Sequence, residues 1–575
     1  MELTLVAVVG VISVVAVAAF SERLGLAAPL SLVIVGLGLS FVPGVPHPEI
    51  DPEWILAGVL PPLLYSAAVT MPVTDFRRNL KPISGLAVLL VVVTTLGTGA
   101  LFHWMLPGIG WPAAFALGAV ISPTDAVAAT SVGRKLGLPH RLLTVLEGEG
   151  LVNDASALVL LRSAVAALAG AVSVWEVAGK FVYAVVVALL VGLVVGLVSV
   201  RVRGLLKDSV LNTAISFVIP FLAYLPAEEF DASGVLAVVV AGVVTGHESP
   251  RFLRAQDRIA EATNWRTLSF LLESGMFLLM GLSVKTLVDQ VRDGGFSLQR
   301  ALLVGLLASL VCVLARMAIV APLVALMRRD QVKAAGAKPR LDQIQERLRN
   351  HESSGRELDE RGTRWLERVE RRVTKVSAKL DFELNENLGW RGGVVLAWSG
   401  MRGAITLAAA QTLPEDTPYR AELILVAFVV AAATLLLQGL SLPRVIRTVK
   451  VPADDPARLR DDHLRLIGEL RDAAVGVLAA PGLAQPDGTP YAAPILARAR
   501  ADARIPEEGQ EAPQMDFALR EQYLRLRLDV LDAQSERLLK ARRSGAYSSQ
   551  ALADAQNALD VEAARFEQLD EVSRE

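Results

Sequence analysis

The sequence predicts an all-α polytopic membrane protein with about thirteen transmembrane helices. Hydrophobic residues make up 53% of the 575 residues, charged residues only 20%, and the mean hydropathy is +0.45. An ordinary soluble chain does not need so apolar a composition. Mostly apolar segments of roughly 17 to 25 residues recur, and a helix of that length spans about 30 Å of hydrocarbon. They lie near residues 3–20, 26–43, 52–70, 83–105, 111–132, 141–170, 178–200, 209–226, 231–247, 265–287, 301–327, 391–412 and 421–444.

Basic residues concentrate in alternate loops and so predict the orientation. The loops after odd-numbered segments carry several arginines and lysines, such as Arg77, Arg78 and Lys81, whereas most other loops carry few. By the positive-inside rule the basic loops are cytoplasmic. We therefore expect a multi-pass protein of the cell membrane with its N-terminus outside and its C-terminus in the cytoplasm.

Two polar stretches divide the chain. We expect residues 1–327 to form the first part of the transmembrane domain and residues 391–444 its last two helices. Residues 328–390 form a charged cytoplasmic insert, and residues 445–575 a cytoplasmic helical C-terminal domain. Neither stretch contains a phosphate-binding loop, a nucleotide fingerprint or a cluster of metal ligands. The sequence therefore predicts no enzyme, no cofactor and no nucleic-acid partner.

Two predicted helices contain a break at the same relative place. Pro123 lies in the middle of the fifth segment, and Gly400 and Gly403 lie in the twelfth. Proline removes a backbone donor and glycine weakens a helix. When the two segments are aligned at their breaks, Asp125 corresponds to Arg402. The segments run in opposite directions and are seven apart, as two six-helix inverted repeats joined by a linking helix require. Paired broken helices of this kind point to a transporter's binding site.

Carboxylates at membrane depth are the next signal, because a charge there costs at least ~2.5 kcal/mol. Glu147 precedes Asp154 by seven residues, which places both on nearly one face of a helix. Glu147 lies on the cytoplasmic side, where it could line a funnel. Glu149 is rotated roughly 140° from Asp154 but shares a face with Asn153. The acids are therefore expected to have different roles.

Arg316 lies midway along the eleventh segment, and a carboxylate is needed to offset the free-energy cost of burying its charge there. Glu149 is the predicted partner, which leaves Asp154 free to titrate. Desolvation disfavours the charged form of a carboxyl group, so at cellular pH Asp154 could hold either a proton or a small cation. Its oxygens, with those of Thr124 and Asn153, suit a sodium-like ion. Competition at one acid is an exchange mechanism.

At these residues the chain resembles the NhaP-type monovalent cation/proton antiporters, which include bacterial sodium/proton exchangers. The resemblance covers roughly residues 1–445 apart from the insert. The stretches that carry it are residues 122–125, 147–154, 233–237, Arg316 and residues 400–404.

The resemblance implies the Na+/H+ antiporter fold with crossed discontinuous helices, in a homodimer. Spans one to three and seven to ten would form a scaffold, and spans four to six and eleven to thirteen a moving core. The aspartate at the position of Asp154 would carry the ion, helped by Thr124, Asn153 and Asp125. The adjacent residues Asn153 and Asp154, in place of two aspartates, are similar to the pair found in the electroneutral branch of the family.

The resemblance also implies that Glu149 and Arg316 pair to hold the core together. Three positions depart from the family's pattern. Gly150 stands where many members have a serine, Ser66 where some have a glutamate, and Glu273 where asparagine is frequent. These changes bear on ion selectivity more than on mechanism.

The predicted function is secondary active exchange of Na+ for H+ across the plasma membrane, electroneutral and by alternating access. The partners would be Na+ (or K+ or Li+), H+ and the lipid bilayer, and the only metal would be transported Na+ at Asp154. One alternative is a K+/H+ antiporter with the same mechanism. Another is a membrane ion or pH sensor that signals through its cytoplasmic tail.

Overall fold

The computed structural model is helical throughout most of the chain that it describes. It describes residues 2–24, 28–43, 51–169, 174–293, 297–353, 360–385, 388–415, 417–480, 483–485, 488–502 and 517–574. Within these ranges the one β-type pairing is an antiparallel bridge between Ala484 and Pro490. The predicted all-α class is therefore confirmed.

The helices of the first half end with a long helix that carries Asp154. Two π-helical stretches, Trp54–Val59 and Gly85–Leu90, continue directly into the α-helices that begin at Leu60 and Val91. In chain order the α-helices are α1 (Glu2–Leu24), α2 (Ala28–Ser40), α3 (Leu60–Thr70), α4 (Val73–Arg78), α5 (Leu80–Ser84), α6 (Val91–Met105), α7 (Trp111–Ile121), α8 (Ala126–Lys135) and α9 (His140–Ala169).

The remaining helices complete the membrane domain and form the polar parts. They are α10 (Val174–Arg203), α11 (Ser209–Glu229), α12 (Gly234–Phe252), α13 (Ala255–Leu282), α14 (Val284–Asp293), α15 (Leu298–Ser353), α16 (Glu360–Asn385), α17 (Gly389–Trp398), α18 (Ala404–Gln411), α19 (Arg420–Val449), α20 (Pro456–Leu478), α21 (Ala493–Asp502), α22 (Phe517–Ser544) and α23 (Ser549–Arg574).

A helix or a broken helix lies at each of the thirteen predicted segments. Among the described residues, eight helices are long and apolar enough to cross a membrane, and three shorter apolar helices accompany them. A multi-pass membrane protein follows from these lengths. The count of thirteen crossings stays a prediction.

The membrane helices pack in two groups, which we name by their contacts. The scaffold helices, α1–α3 and α10–α13, pack mainly on one another, and the core helices, α6–α9, α15 and α17–α19, do the same. Helices α2 and α13 touch through glycine: a Cβ on Gly36 would lie 2.5 Å from the carbonyl oxygen of Leu278, and one on Gly281 would lie 2.6 Å from that of Val33. Glycine thus allows backbone contact within the scaffold.

The insert and tail lie together on one side of the membrane domain, called here the tail side. Helix α15 continues without interruption through residue 328, so the insert begins as an extension of a membrane helix. Arg141 of α9 donates to Glu383 of α16 at 3.2 Å. Helices α20, α22 and α23 share an apolar core, and α23 packs on α13. The proposed domain limits remain predictions.

Candidate functional site

Two broken helices cross in the middle of the membrane domain. Helix α7 ends at Ile121 and α8 begins at Ala126, with Pro123 between them, while α17 and α18 are separated by residues 399–403. The backbone N–H of Asp125 donates to the carbonyl of Met401 at 2.7 Å. The crossing therefore supplies partners for backbone groups that the breaks release from helical hydrogen bonds.

Asp125 lies between the N-termini of two half-helices. Its Oδ1 accepts a 2.8 Å hydrogen bond from the backbone N–H of Val127, in the first turn of α8. The same side chain lies against Gly403, which precedes α18: a Cβ built on Gly403 would lie 2.8 Å from Cβ of Asp125. A carboxylate is favoured at this place because it accepts from free N–H groups and because helix N-termini carry partial positive charge.

Arg402 lies near the C-terminal ends of the other two half-helices, α7 and α17. Its Nε donates to the carbonyl of Ile121 at 3.0 Å, and its Nη1 donates to the carbonyl of Gly400. These carbonyls belong to the end of α7 and to the residues that follow α17. Arg402 is only 1% exposed. The guanidinium thus offsets the partial negative charge of helix C-termini.

Asp154 of α9 faces a cavity of about 360 Å³ that is also lined by Thr124, Asp125 and Gly150. Its side chain is 7% exposed. None of the described residues forms a hydrogen bond or an ion pair with it. A buried carboxylate without a partner costs free energy unless it binds a proton or a cation.

Asn153 lies beside the carrier candidate and contacts Thr124. Its Nδ2 donates to the carbonyl of Thr124 at 2.9 Å and to the hydroxyl at 3.1 Å. Its Oδ1 is buried and has no hydrogen-bond partner within the described part of the chain. This oxygen is therefore a buried acceptor to which none of the described residues donates.

Glu149 and Arg316 form a buried ion pair, at 2% and 1% exposure. Nη2 of Arg316 donates to Oε2 of Glu149 at 2.8 Å, and Nη1 contacts Oε1. Nε of Arg316 donates to the carbonyl of Leu396 at 2.8 Å. The pair thus connects α9, α15 and α17 within the core helices.

The cavity opens toward the tail side. Glu147 and Arg134 line it there as an ion pair, with side-chain exposures of 30% and 66%. On the other side of Asp154 only about 10 Å³ of space remains, between residues that include Leu158 and Ile405. Within the described part of the chain, the space around Asp154 is therefore larger toward the tail side than on the opposite side.

A second cavity of about 240 Å³ lies on the opposite side. Met276 and Ala404 line both this cavity and that of Asp154, so they separate the two. Residues of α13 and α18 thus lie between the two cavities.

The sequence related Glu273 to ion selectivity but gave it no place in the site. Glu273 of α13 faces the same cavity, as does Ser66 of α3. The signal was present, because Glu273 is an ionisable residue within a predicted span, which by itself indicates function. The sequence could not show which way its helix is rotated.

The part of the chain before the C-terminal domain matches a known protein family. The family model described as the transmembrane part of sodium/hydrogen exchangers matches residues 10–448. An uncharacterized Na+/H+ exchanger of Mycobacterium tuberculosis is 29% identical, over 97% of this chain and 95% of the relative. The sodium, potassium, lithium and rubidium/H+ antiporter of Bacillus pumilus is 35% identical over 44% of this chain and 40% of its own.

A solved structure is similar in fold. The sodium proton antiporter MjNhaP1 from Methanocaldococcus jannaschii superposes with a TM-score of 0.56 at 16% identity. The match covers 78% of this chain and 99% of that one. At this identity the likeness establishes the fold.

Proposed function

This chain belongs to the sodium/hydrogen exchanger family, a group of monovalent cation/proton antiporters, and we propose that it performs the exchange at Asp154 by alternating access. The observation that carries the proposal is the state of this side chain. Asp154 is buried, lines a cavity that extends to the exposed pair of Glu147 and Arg134, and has no partner among the described residues.

Competition for the carboxylate supplies the exchange. In a site of low polarity the charge of Asp154 is tolerated only with a proton or a cation bound. A bound cation excludes the proton and a bound proton excludes the cation, so each crossing of the loaded site carries one of them. One cation for one proton moves no net charge, which makes the exchange electroneutral.

The oxygens around Asp154 suit a small monovalent cation. Oδ1 of Asn153 is free of hydrogen bonds, and the hydroxyl of Thr124, which donates to Glu149, keeps a lone pair after accepting from Asn153. Asp125 adds negative charge at the same cavity. Water completes the coordination. Hard oxygen ligands of this kind bind Na+, Li+ or K+.

Alternating access is supported by the two cavities and the two helix groups. Asp154, Asp125 and Asn153 belong to the core helices, and the scaffold helices form the other wall. Movement of the core against the scaffold would close the cavity at Glu147 and join Asp154 to the second cavity. The crossing residues Pro123, Gly400, Arg402 and Gly403 would move as one unit with Asp125.

We place the tail side in the cytoplasm and the N-terminus outside, in the cell membrane, because basic residues such as Arg134, Arg258 and Arg447 lie on that side. We further propose a homodimer that contributes to pH homeostasis.

Potassium is a second candidate for the transported cation, since the name of the Bacillus relative includes it.

Proton release from acidified vesicles tests the proposal. Vesicles with wild-type protein should release protons when sodium, lithium or potassium is added, and the pattern gives the selectivity. Asp154→Asn should abolish release while the protein still folds. Lower pH should raise the apparent KM for the cation without lowering the maximal rate. Exchange by Asp154→Asn at the wild-type rate would reject Asp154 as the carrier, and a current during exchange would reject electroneutrality.

A further inference from the structure

Glu273 faces the transport cavity from the scaffold. Ser269, Glu273 and Phe277 follow one another at four-residue spacing on α13, and all three line the cavity. None of the described residues forms a hydrogen bond or an ion pair with Glu273. Helical phase therefore directs an unengaged carboxylate toward the space that Asp154 faces.

The charges of the deep cavity are unbalanced. Three carboxylates, on Asp125, Asp154 and Glu273, line it, whereas its one cationic lining residue, Arg134, pairs with Glu147 at the mouth. A cleft lined by one sign of charge between low-dielectric walls concentrates counter-ions. Asp154, at 7% exposure and without a partner, is an independent sign that a ligand belongs there.

The acids belong to different groups of helices. Glu273 is fixed to the scaffold, because α13 touches α2 through Gly36 and Gly281. Asp154 is fixed to the core, because α9 packs on α7 and α8. A motion that displaces α9 relative to α13 changes the distance between these two carboxylates.

We propose that Glu273 is a cation-holding carboxylate of the fixed wall, which takes a monovalent cation entering from the tail side and passes it to Asp154. This inference rests on the proposed function. Glu273 lines the same cavity as Asp154 while that cavity is open to the tail side, and it is left behind when the core moves. It therefore lowers the KM for the cation on the tail side only.

Kinetics in vesicles of both orientations test the proposal. Glu273→Gln should raise the cation KM about tenfold from the tail side, equivalent to ~1.4 kcal/mol, and leave the KM from the other side and the maximal rate unchanged. Glu273→Asp should have a smaller effect. Asp289→Asn is the matched control, since Asp289 is an exposed carboxylate of the neighbouring α14.

A rescue variant separates charge from packing. Ser66 lines the same cavity from α3, also a scaffold helix. Adding Ser66→Glu to Glu273→Gln returns a carboxylate to the fixed wall and should restore the low KM on the tail side.

Three results would overturn the role of Glu273: an unchanged KM in Glu273→Gln, an equal rise from both sides, or complete loss of exchange by a folded Glu273→Gln protein. In each case Asp154→Asn, measured in parallel, still reports on the proposed function. If the Asp154→Asn protein still exchanged ions, the proposed exchange at Asp154 would be rejected instead.

Discussion

The hydroxyl of Thr124 donates a 2.7 Å hydrogen bond to Oε1 of Glu149. The same hydroxyl accepts from Nδ2 of Asn153 at 3.1 Å. One side chain thus connects the buried ion pair of Glu149 and Arg316 to the residue next to Asp154. The core helices and the ion site share this hydrogen-bond network.

Thr124→Val keeps the shape of the side chain and removes the hydroxyl. Stability should fall by roughly 1.5–3 kcal/mol, because the lost bond has a charged acceptor. The cation KM should rise, because Asn153 loses one of its two acceptors. Thermal unfolding and vesicle kinetics measure both effects. Thr144→Val removes a buried hydroxyl bonded within α9 to a neutral acceptor and should cost only about 0.5–1.5 kcal/mol. Equal costs would contradict the linking role of Thr124.

Arg316→Met should destabilise the protein by roughly 3–5 kcal/mol, because it leaves Glu149 charged and buried without its partner. Adding Glu149→Gln should recover part of this loss in a thermal unfolding assay. The pair of Arg251 and Glu248 is an exposed control at 4.0 Å, and Arg251→Met should cost less than about 1 kcal/mol. A double variant less stable than Arg316→Met alone would contradict the ion-pair explanation.

Substitutions of Asp125 separate its capping role from its charge. Asparagine can still accept from the N–H of Val127, so Asp125→Asn should keep most of the stability, whereas Asp125→Ala should lose about 0.5–2 kcal/mol. Both should raise the cation KM, because both remove a carboxylate from the cavity. Thermal unfolding and exchange are measured on the same samples. Normal KM in a stable Asp125→Asn protein would limit Asp125 to a structural role.

Gly403→Ala should impair folding and exchange together. The added Cβ would lie 2.8 Å from Cβ and 2.9 Å from Cγ of Asp125, so the two broken helices must separate. Such overpacking costs roughly 1–3 kcal/mol. Gly336→Ala is the control, because nothing lies within 4 Å of its added Cβ, and alanine favours a helix by up to about 1 kcal/mol. A stable, active Gly403→Ala protein would show that the crossing tolerates a wider spacing.

The tail is held to the scaffold by Arg258 of α13 and Asp560 of α23, with Nε and Oδ2 3.0 Å apart. Burial and nearby Arg258 lower the pKa of Arg542, and Asp560 opposes this effect. Asp560→Asn leaves the two arginines facing each other, so proteolysis of the tail should become faster. Adding Arg258→Gln should restore protection.

Exchange measured on the same variants tests whether the tail regulates transport. We expect the loosened tail of Asp560→Asn to change the pH dependence of exchange. Deletion of residues 451–575 with unchanged exchange at every pH would contradict regulation.

Much of the fold could be predicted because its signals are local. Apolar runs located the helices, and Pro123, Gly400 and Gly403 located the breaks, since each acts on its own backbone. Helical phase placed Glu149 and Asn153 on one face, and both contact Thr124 in the structure. The extension of α15 into the insert was missed, because its composition changes from apolar to charged while the helix continues.

By itself, then, the sequence determined the helix positions, the breaks and the acids at membrane depth, all set by composition and spacing within a segment. Only the tertiary structure decided which of these groups meet. Thr124 donates to Glu149, Arg402 reaches Ile121, and Glu273 turns toward the cavity of Asp154. The reason is physical: the rotation of a helix about its axis, and therefore the direction of its polar side chains, is fixed by packing against segments distant in the chain.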